Sequence, residues 1–315
     1  MTDNELKRQI LIGLMTELSL DLRASLIREE VPVQEVCNKY KIESADFMTA
    51  DSVLSWLNCS KSSGIWWYGE KGFPPVNELE RRFPSMVFYE GKKPDSLDTR
   101  VTIVGSRHCD YLGIQKSFML GLEASINGLT VVTGVAEGCD QASCVGALSA
   151  FNMEETLYAP PVLVLPNGFD IEYPKGSAYL RNRTLERGGS VLSCFVPGTP
   201  ALKHNFVYRN MILAAMSDMT LVIQSPSHSG ALMTADFALR IGRDVCVSVG
   251  GVGEAPCRKG TCTLARDGAT VINSYSDYAE NGIDSVYVIR QVDYEEKHEV
   301  RFGDRYYRVE RKVSN

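Results

Sequence analysis

The sequence predicts an α/β fold: a doubly wound, mostly parallel sheet with an N-terminal helical domain before it and a short C-terminal β extension after it. Three observations carry that expectation. At 101–108, VTIVGSRH, a β-branched apolar run stops abruptly at glycine, as a strand buried on both faces does. An amphipathic stretch from about 113 to 126 follows, then a second run, LTVVT at 129–133, which ends in a glycine cluster from Gly134 to Gly138. The alternation continues to about 275, with further strands expected at 162–165, 190–194, 219–223, 245–249 and 270–272. Right-handed crossovers then give one sheet covered by helices on both faces, with ligands at the carboxyl ends of the strands.

In chain order, residues 1–64 read as a helical domain. Ile10, Leu11, Leu14, Leu18, Leu22, Leu26 and Ile27 recur at three- and four-residue steps, Pro32 interrupts the run, and shorter helices are expected at 33–40 and 50–57. Residues 65–98 are aromatic and proline-rich (Trp66, Trp67, Tyr68, Phe73, Pro74, Pro75, Phe83, Pro84), which predicts an irregular connector packed on the next domain, with a linker at 92–98. The parallel-sheet domain occupies 99–279. In the last segment, 280–315, residues 286–289 and 306–309 alternate with charges, a pattern for small antiparallel strands.

Bulk composition narrows the function classes. A chain of 315 residues with 44% hydrophobic residues has ample material for a core. Nine cysteines lack the paired close spacing of a disulfide or zinc framework, so buried thiols in a reducing cytoplasm are expected, with no metal site. The first ten residues, MTDNELKRQI, have no secretory apolar region, and no run approaches the length of about 20 residues that spans a bilayer. The expectation is a cytoplasmic protein without membrane contact. A net charge of −6 argues against long-range steering to nucleic acid, so a polyanion site must be a local patch.

Such a patch is visible. Between residues 171 and 211 six lysines and arginines face two glutamates, a local charge of +4. Arg181, Arg183 and Arg187 are assigned to a solvated helix face, whereas Lys175, beside Pro174 at a turn, and Arg209, within FVYRN, are placed for a ligand. Four loops meet on one rim of the predicted sheet. They carry Gly105, Ser106 and Arg107; Gly134, Glu137, Gly138 and Asp140; the turn from Pro166 to Lys175; and SPSHSGALMT at 225–234, where Ser229 caps a helix and Gly230 opens it. Amides at a helix N-terminus, together with the dipole, suit a phosphate.

Taken in order, GSRH at 105–108, TGVAEGCD at 133–140, GFDIEYP at 168–174, FVYRN at 206–210 and SGALMTADFALRIGR at 229–243 resemble the motifs of the DNA-processing protein A (DprA/Smf) family. FPSMVFYEGK at 83–92 and GTCTLARDGATVI at 260–272 extend the resemblance. It implies an extended Rossmann-like domain that binds single-stranded DNA, forms a homodimer and loads a RecA-type recombinase during natural transformation and recombination. It implies no catalysis and no cofactor. Carried over residue by residue, the single-stranded DNA contacts are Gly105, Ser106, Arg107, Lys175, Arg209, Asn210, Ser229, Gly230 and Thr234.

Three positions depart from the family pattern: Glu137 and Ser143 stand where an arginine and a histidine are usual, and Met211 replaces the second arginine of an Arg-Asn-Arg triplet. Two alternatives accompany the DNA reading. Gly250 to Glu254 resembles in part the PGG-x-GT signature of phosphoribohydrolases, with Val249 and Glu254 in place of its proline and threonine. A degenerate pocket could instead serve as a nucleotide sensor or assembly module.

Overall fold

The computed structural model describes residues 2–42, 47–59, 62–76, 83–94, 99–153, 158–277, 285–292, 300–302 and 305–313. Four helices come first: α1 (Asp3–Gly13), α2 (Leu20–Arg28), α3 (Val33–Tyr40) and α4 (Phe47–Cys59). The apolar run expected to continue to Pro32 is divided, because Ser19 caps α2 by accepting the Leu22 amide and so starts a new helix. Ile10, Ile12, Leu26 and Val36 bury the faces these helices share.

The stretch expected to be irregular instead forms β1 (Ser63–Trp67) and β2 (Met86–Gly91), an antiparallel pair that extends the main sheet. Its aromatic residues have β propensity as well as bulk, and Trp66, Phe83 and Phe88 are buried almost completely. Arg23 of α2 reaches the carbonyls of Gly13 and Phe83 and the Ser85 hydroxyl, which ties the helices to the start of β2. Most of the linker expected at 92–98 and the boundary at 279 lie outside the described residues.

The remaining elements alternate: β3 (Arg100–Val104), α5 (Tyr111–Ile126), β4 (Thr130–Thr133), α6 (Cys139–Ser149), β5 (Val162–Leu165), α7 (Ala178–Glu186), β6 (Ser190–Ser193), α8 (Lys203–Ala215), β7 (Met219–Val222), α9 (Gly230–Arg240), β8 (Asp244–Ser248), α10 (Lys259–Arg266) and β9 (Thr270–Ile272). The nine strands lie in the order β1-β2-β6-β5-β4-β3-β7-β8-β9, with every pair from β6 to β9 parallel. The order reverses at β3, which pairs with β4 on one side and β7 on the other, so β3 sits at the topological switch point where doubly wound sheets bind ligands. Every residue of β3, β4, β5, β6 and β7 is buried, as continuous apolar runs require.

The two alternating segments near the C-terminus fall in β10 (Ser285–Val292) and β12 (Arg305–Val313), which with β11 (Val300–Phe302) form a separate antiparallel sheet in the order β10-β12-β11. All nine cysteines are free thiols. Among the described residues, no helix is long and apolar enough to cross a membrane.

Candidate functional site

Leaving β3, the chain turns at Gly105, whose amide donates to Asp140 Oδ1 at 3.2 Å, and the Ser106 amide donates to the Gln224 carbonyl at 2.7 Å. The GSR turn is thereby held between the loops that follow β4 and β7. Asp140 stands in the first turn of α6, and its carboxylate also accepts the amides of Gly134, at 3.2 Å, and Ala136. Two glycines make this packing feasible. A Cβ on Gly134 would lie 1.3 Å from Arg209 Nη1, and Gly138 has φ +81° with its Cβ position 2.5 Å from the Ser106 carbonyl oxygen.

Arg209 of α8 faces Asp140 at 3.9 Å, with both side chains 5% exposed. Its Nε and Nη1 have no hydrogen-bond acceptor, since the Asp140 carboxylate at 3.9 Å lies beyond hydrogen-bond reach. Burial pushes the Asp140 carboxyl up to about 6, while Arg209 and the amides pull it down. Burial likewise pushes the Arg209 guanidinium down; Asp140 opposes this and the charge of Arg107 adds to it. Phe206, one helical turn before Arg209, lies under both cations, 5.0 Å from Arg107 and 5.7 Å from Arg209.

These groups surround a cavity of about 720 Å³ at the switch point. Eight of the nine residues singled out in the sequence line it: Gly105, Ser106, Arg107, Arg209, Asn210, Ser229, Gly230 and Thr234. They do different things there. Arg107 is exposed at the mouth, whereas the Asn210 side-chain amide and the Thr234 hydroxyl both donate to the Gly230 carbonyl and so fix the first turn of α9. Ser229 caps that helix by accepting the Leu232 amide, and Gly230 and Ala231, also in the lining, are first-turn residues whose amides have no intrahelical acceptor. Lys175 lies outside this lining, exposed on the turn between Tyr173 and Ser177.

Sequence reasoning passed over Phe206, Lys203 and His108, all of which line the cavity. The available signal was spacing: Lys203, Phe206 and Arg209 recur every three residues along α8. Of the departures from the family pattern, Met211 packs in the core, and the Ser143 hydroxyl donates to the Asp140 carbonyl at 2.8 Å. Glu137 is exposed, outside the lining, and among the described residues it forms no ion pair with Arg107. Of the basic residues assigned to a solvated face, Arg183 pairs with Glu186 at the surface, but Arg181 is half-buried, bonded to Glu90 at 2.5 Å and to the Phe169 carbonyl, because α7 packs against the sheet there. The Gly250 to Glu254 stretch forms no helix start: Val249–Gly251 is a short 3-10 turn, and Glu254 is exposed outside the cavity.

The family model described as DNA recombination-mediator protein A matches residues 64–282. The chain belongs to that family. Protein Smf of Escherichia coli K12 is 29% identical over 209 residues, 66% of this chain and 54% of its own length. The DNA processing protein DprA of Streptococcus pneumoniae R6 is 32% identical over 196 residues, 62% of this chain and 65% of its own. The chain thus spans between about half and two thirds of the length of these curated relatives. Among solved structures, DprA from Streptococcus pneumoniae superposes with a TM-score of 0.69 at 24% identity, over 90% of this chain and 99% of that one. DprA from Helicobacter pylori, described by its single-stranded DNA binding mode, superposes with a TM-score of 0.57 at 21% identity over 69% of this chain and 93% of its own. These likenesses establish the Rossmann-like fold expected from the sequence.

Proposed function

We propose that this protein binds single-stranded DNA through the switch-point cavity and holds it for a RecA-type recombinase, as a homodimer and without catalysis. The observation that carries this reading is Arg209: a buried guanidinium in the wall of a large cavity, with Nε and Nη1 lacking acceptors. A buried donor without an acceptor is costly, and a phosphate oxygen would relieve that cost. Arg107 and Lys203 at the mouth and the first turn of α9 supply further attraction for a phosphate. Phe206 supplies a ring face for a base, which a duplex keeps stacked on its neighbours.

The one carboxylate in the lining, Asp140, accepts backbone amides and faces Arg209, an arrangement that shapes a binding wall. The recombinase and the homodimer follow from family membership and rest on it alone. Fluorescence anisotropy with labelled oligo-dT across a salt series tests the binding. We expect log Kd to rise with log salt with a slope of about 0.7 for each phosphate neutralised. A flat response, or equal competition by duplex of the same length, would overturn the reading.

A further inference from the structure

The N-terminal helices and the loops after the central strands share one hydrophobic core. Ile10 of α1 and Val53 and Leu54 of α4 pack in the same cluster as Phe88 of β2, Val135 after β4 and Phe169 after β5. Trp56 of α4 closes this cluster from the side. Its indole lies 4.8 Å from the Phe169 ring, nearly parallel at 19°, and 5.8 Å from the Phe88 ring, edge to face.

Glu90 of β2 joins the same parts by charge. One carboxylate oxygen accepts the Trp56 indole N–H at 3.3 Å, and the other accepts Arg181 of α7 at 2.5 Å. Arg181 also donates to the Phe169 carbonyl and lies over the Phe169 ring, 5.1 Å from its centroid. Both charged side chains are half-buried, so removing either strands the other in partly desolvated surroundings. Phe169 is thus held by its ring and by its carbonyl.

From Phe169 a chain of contacts runs to the main cavity. The loop is stiffened within itself: the Asn167 side-chain amide donates to the Ile171 carbonyl at 2.7 Å, the Ile171 amide to the Gly168 carbonyl at 3.1 Å, and Glu172 accepts the amides of Gly176 and Ala178. Tyr173, in the same loop, meets Phe206 edge to face with ring centroids 5.4 Å apart, and Phe206 is the ring beneath Arg107 and Arg209. Close packing transmits a displacement along such a chain, because the side chains have little room to move independently.

We propose that Trp56 is a positioning residue for the DNA site: through Phe169 and the loop to Tyr173 it sets Phe206 beneath the two arginines, so the N-terminal helices govern affinity from outside the cavity lining. This rests on the DNA reading above and extends it.

The test measures oligo-dT binding by anisotropy, well below the melting temperature of each variant. We expect Trp56→Ala to weaken binding about tenfold and Glu90→Gln about threefold, while Trp56→Phe, which keeps a ring on Phe169, stays within about twofold of wild type. Val36→Ala opens a void in the separate core of the helices and should lower melting with Kd unchanged. In a Tyr173→Ala background the Trp56→Ala penalty should disappear, because the contact with Phe206 is already cut. Wild-type affinity in Trp56→Ala, an equal loss in Val36→Ala, or a penalty undiminished by Tyr173→Ala overturns the positioning role while leaving DNA binding intact. Failure of wild type to bind oligo-dT overturns both readings. Where Trp56→Ala folds poorly, Glu90→Gln, which preserves the side-chain volume, carries the same cycle.

Discussion

The floor and the rim of the main cavity are built on opposite principles. At the floor, Asp140 and Arg209 are each 5% exposed, three backbone amides fix the carboxylate, and a glycine at 134 leaves room for the guanidinium. At the rim, Arg107 and Lys203 are exposed, and Arg107 lies over the Phe206 ring. Charge at the floor is therefore part of the fold, whereas charge at the rim acts through solvent. Substitutions at the floor should change stability and binding together, and those at the rim should change binding alone.

The largest effect is expected from Arg209→Met, which leaves a buried carboxylate without its counter-charge. Unfolding free energy in denaturant should fall by about 3–5 kcal/mol. Adding Asp140→Asn should recover part of that loss, while oligo-dT binding stays weak in both variants. A single variant that costs under about 1 kcal/mol would mean that the floor does not depend on its ion pair.

Titration of Asp140 gives the next effect. Its carboxyl is pushed from 3.8 up to about 6, so the folded protein holds that proton more tightly than the unfolded chain. The stability gained by protonation is complete below the ordinary value and lost as pH rises through about 6. Wild type should therefore lose up to about 3 kcal/mol relative to Asp140→Asn between pH 4 and 6.5, read from paired melting curves. Glu123, pushed up to about 7 by burial, titrates in both proteins and cancels in the difference. A difference independent of pH would place the carboxylate in a more polar setting than its burial indicates.

At the rim, Arg107→Ala should weaken oligo-dT binding by about 1–2 kcal/mol, the size of a charged hydrogen bond, with melting unchanged. A drop in melting temperature would move Arg107 to the floor class. The smallest effect is expected at Glu137. Exposed and outside the lining, it acts through solvent that screens charge over about 8 Å at physiological salt, so Glu137→Arg should tighten binding less than about twofold. A tenfold gain would show that this loop faces the strand after all.

Much of the main sheet was legible locally. The strands expected at 162–165 and 270–272 have the observed bounds, that at 219–223 ends one residue earlier, and that at 245–249 is shifted by one residue at both ends. Apolar runs punctuated by glycine are short-range signals, and burial on both faces leaves few alternatives. The segment from 65 to 98 was misread because Trp66 and Phe88 signal both β structure and irregular packing, and the choice is made by β6, about a hundred residues away, which accepts β2 as an antiparallel neighbour. At the site, motif order brought eight residues to one cavity, but their division of labour was hidden. Nothing near Asn210 in the sequence reveals that its amide binds the Gly230 carbonyl, and nothing near Lys175 reveals that it stands outside the cavity lining.

The sequence by itself determined the alternation of elements, the placement of glycine turns after strands and the family to which the chain belongs. Only the tertiary structure decided that β3 is the switch point, that Arg209 is buried against Asp140 while Arg107 is exposed at the mouth over Phe206, and that Met211 and Ser143 are core residues. Periodicity and turn chemistry act over a few residues and are written in adjacent letters. The environment of a charge depends on which distant elements the crossovers bring together, and there burial and competing hydrogen bonds decide whether an arginine belongs to the fold or to the ligand.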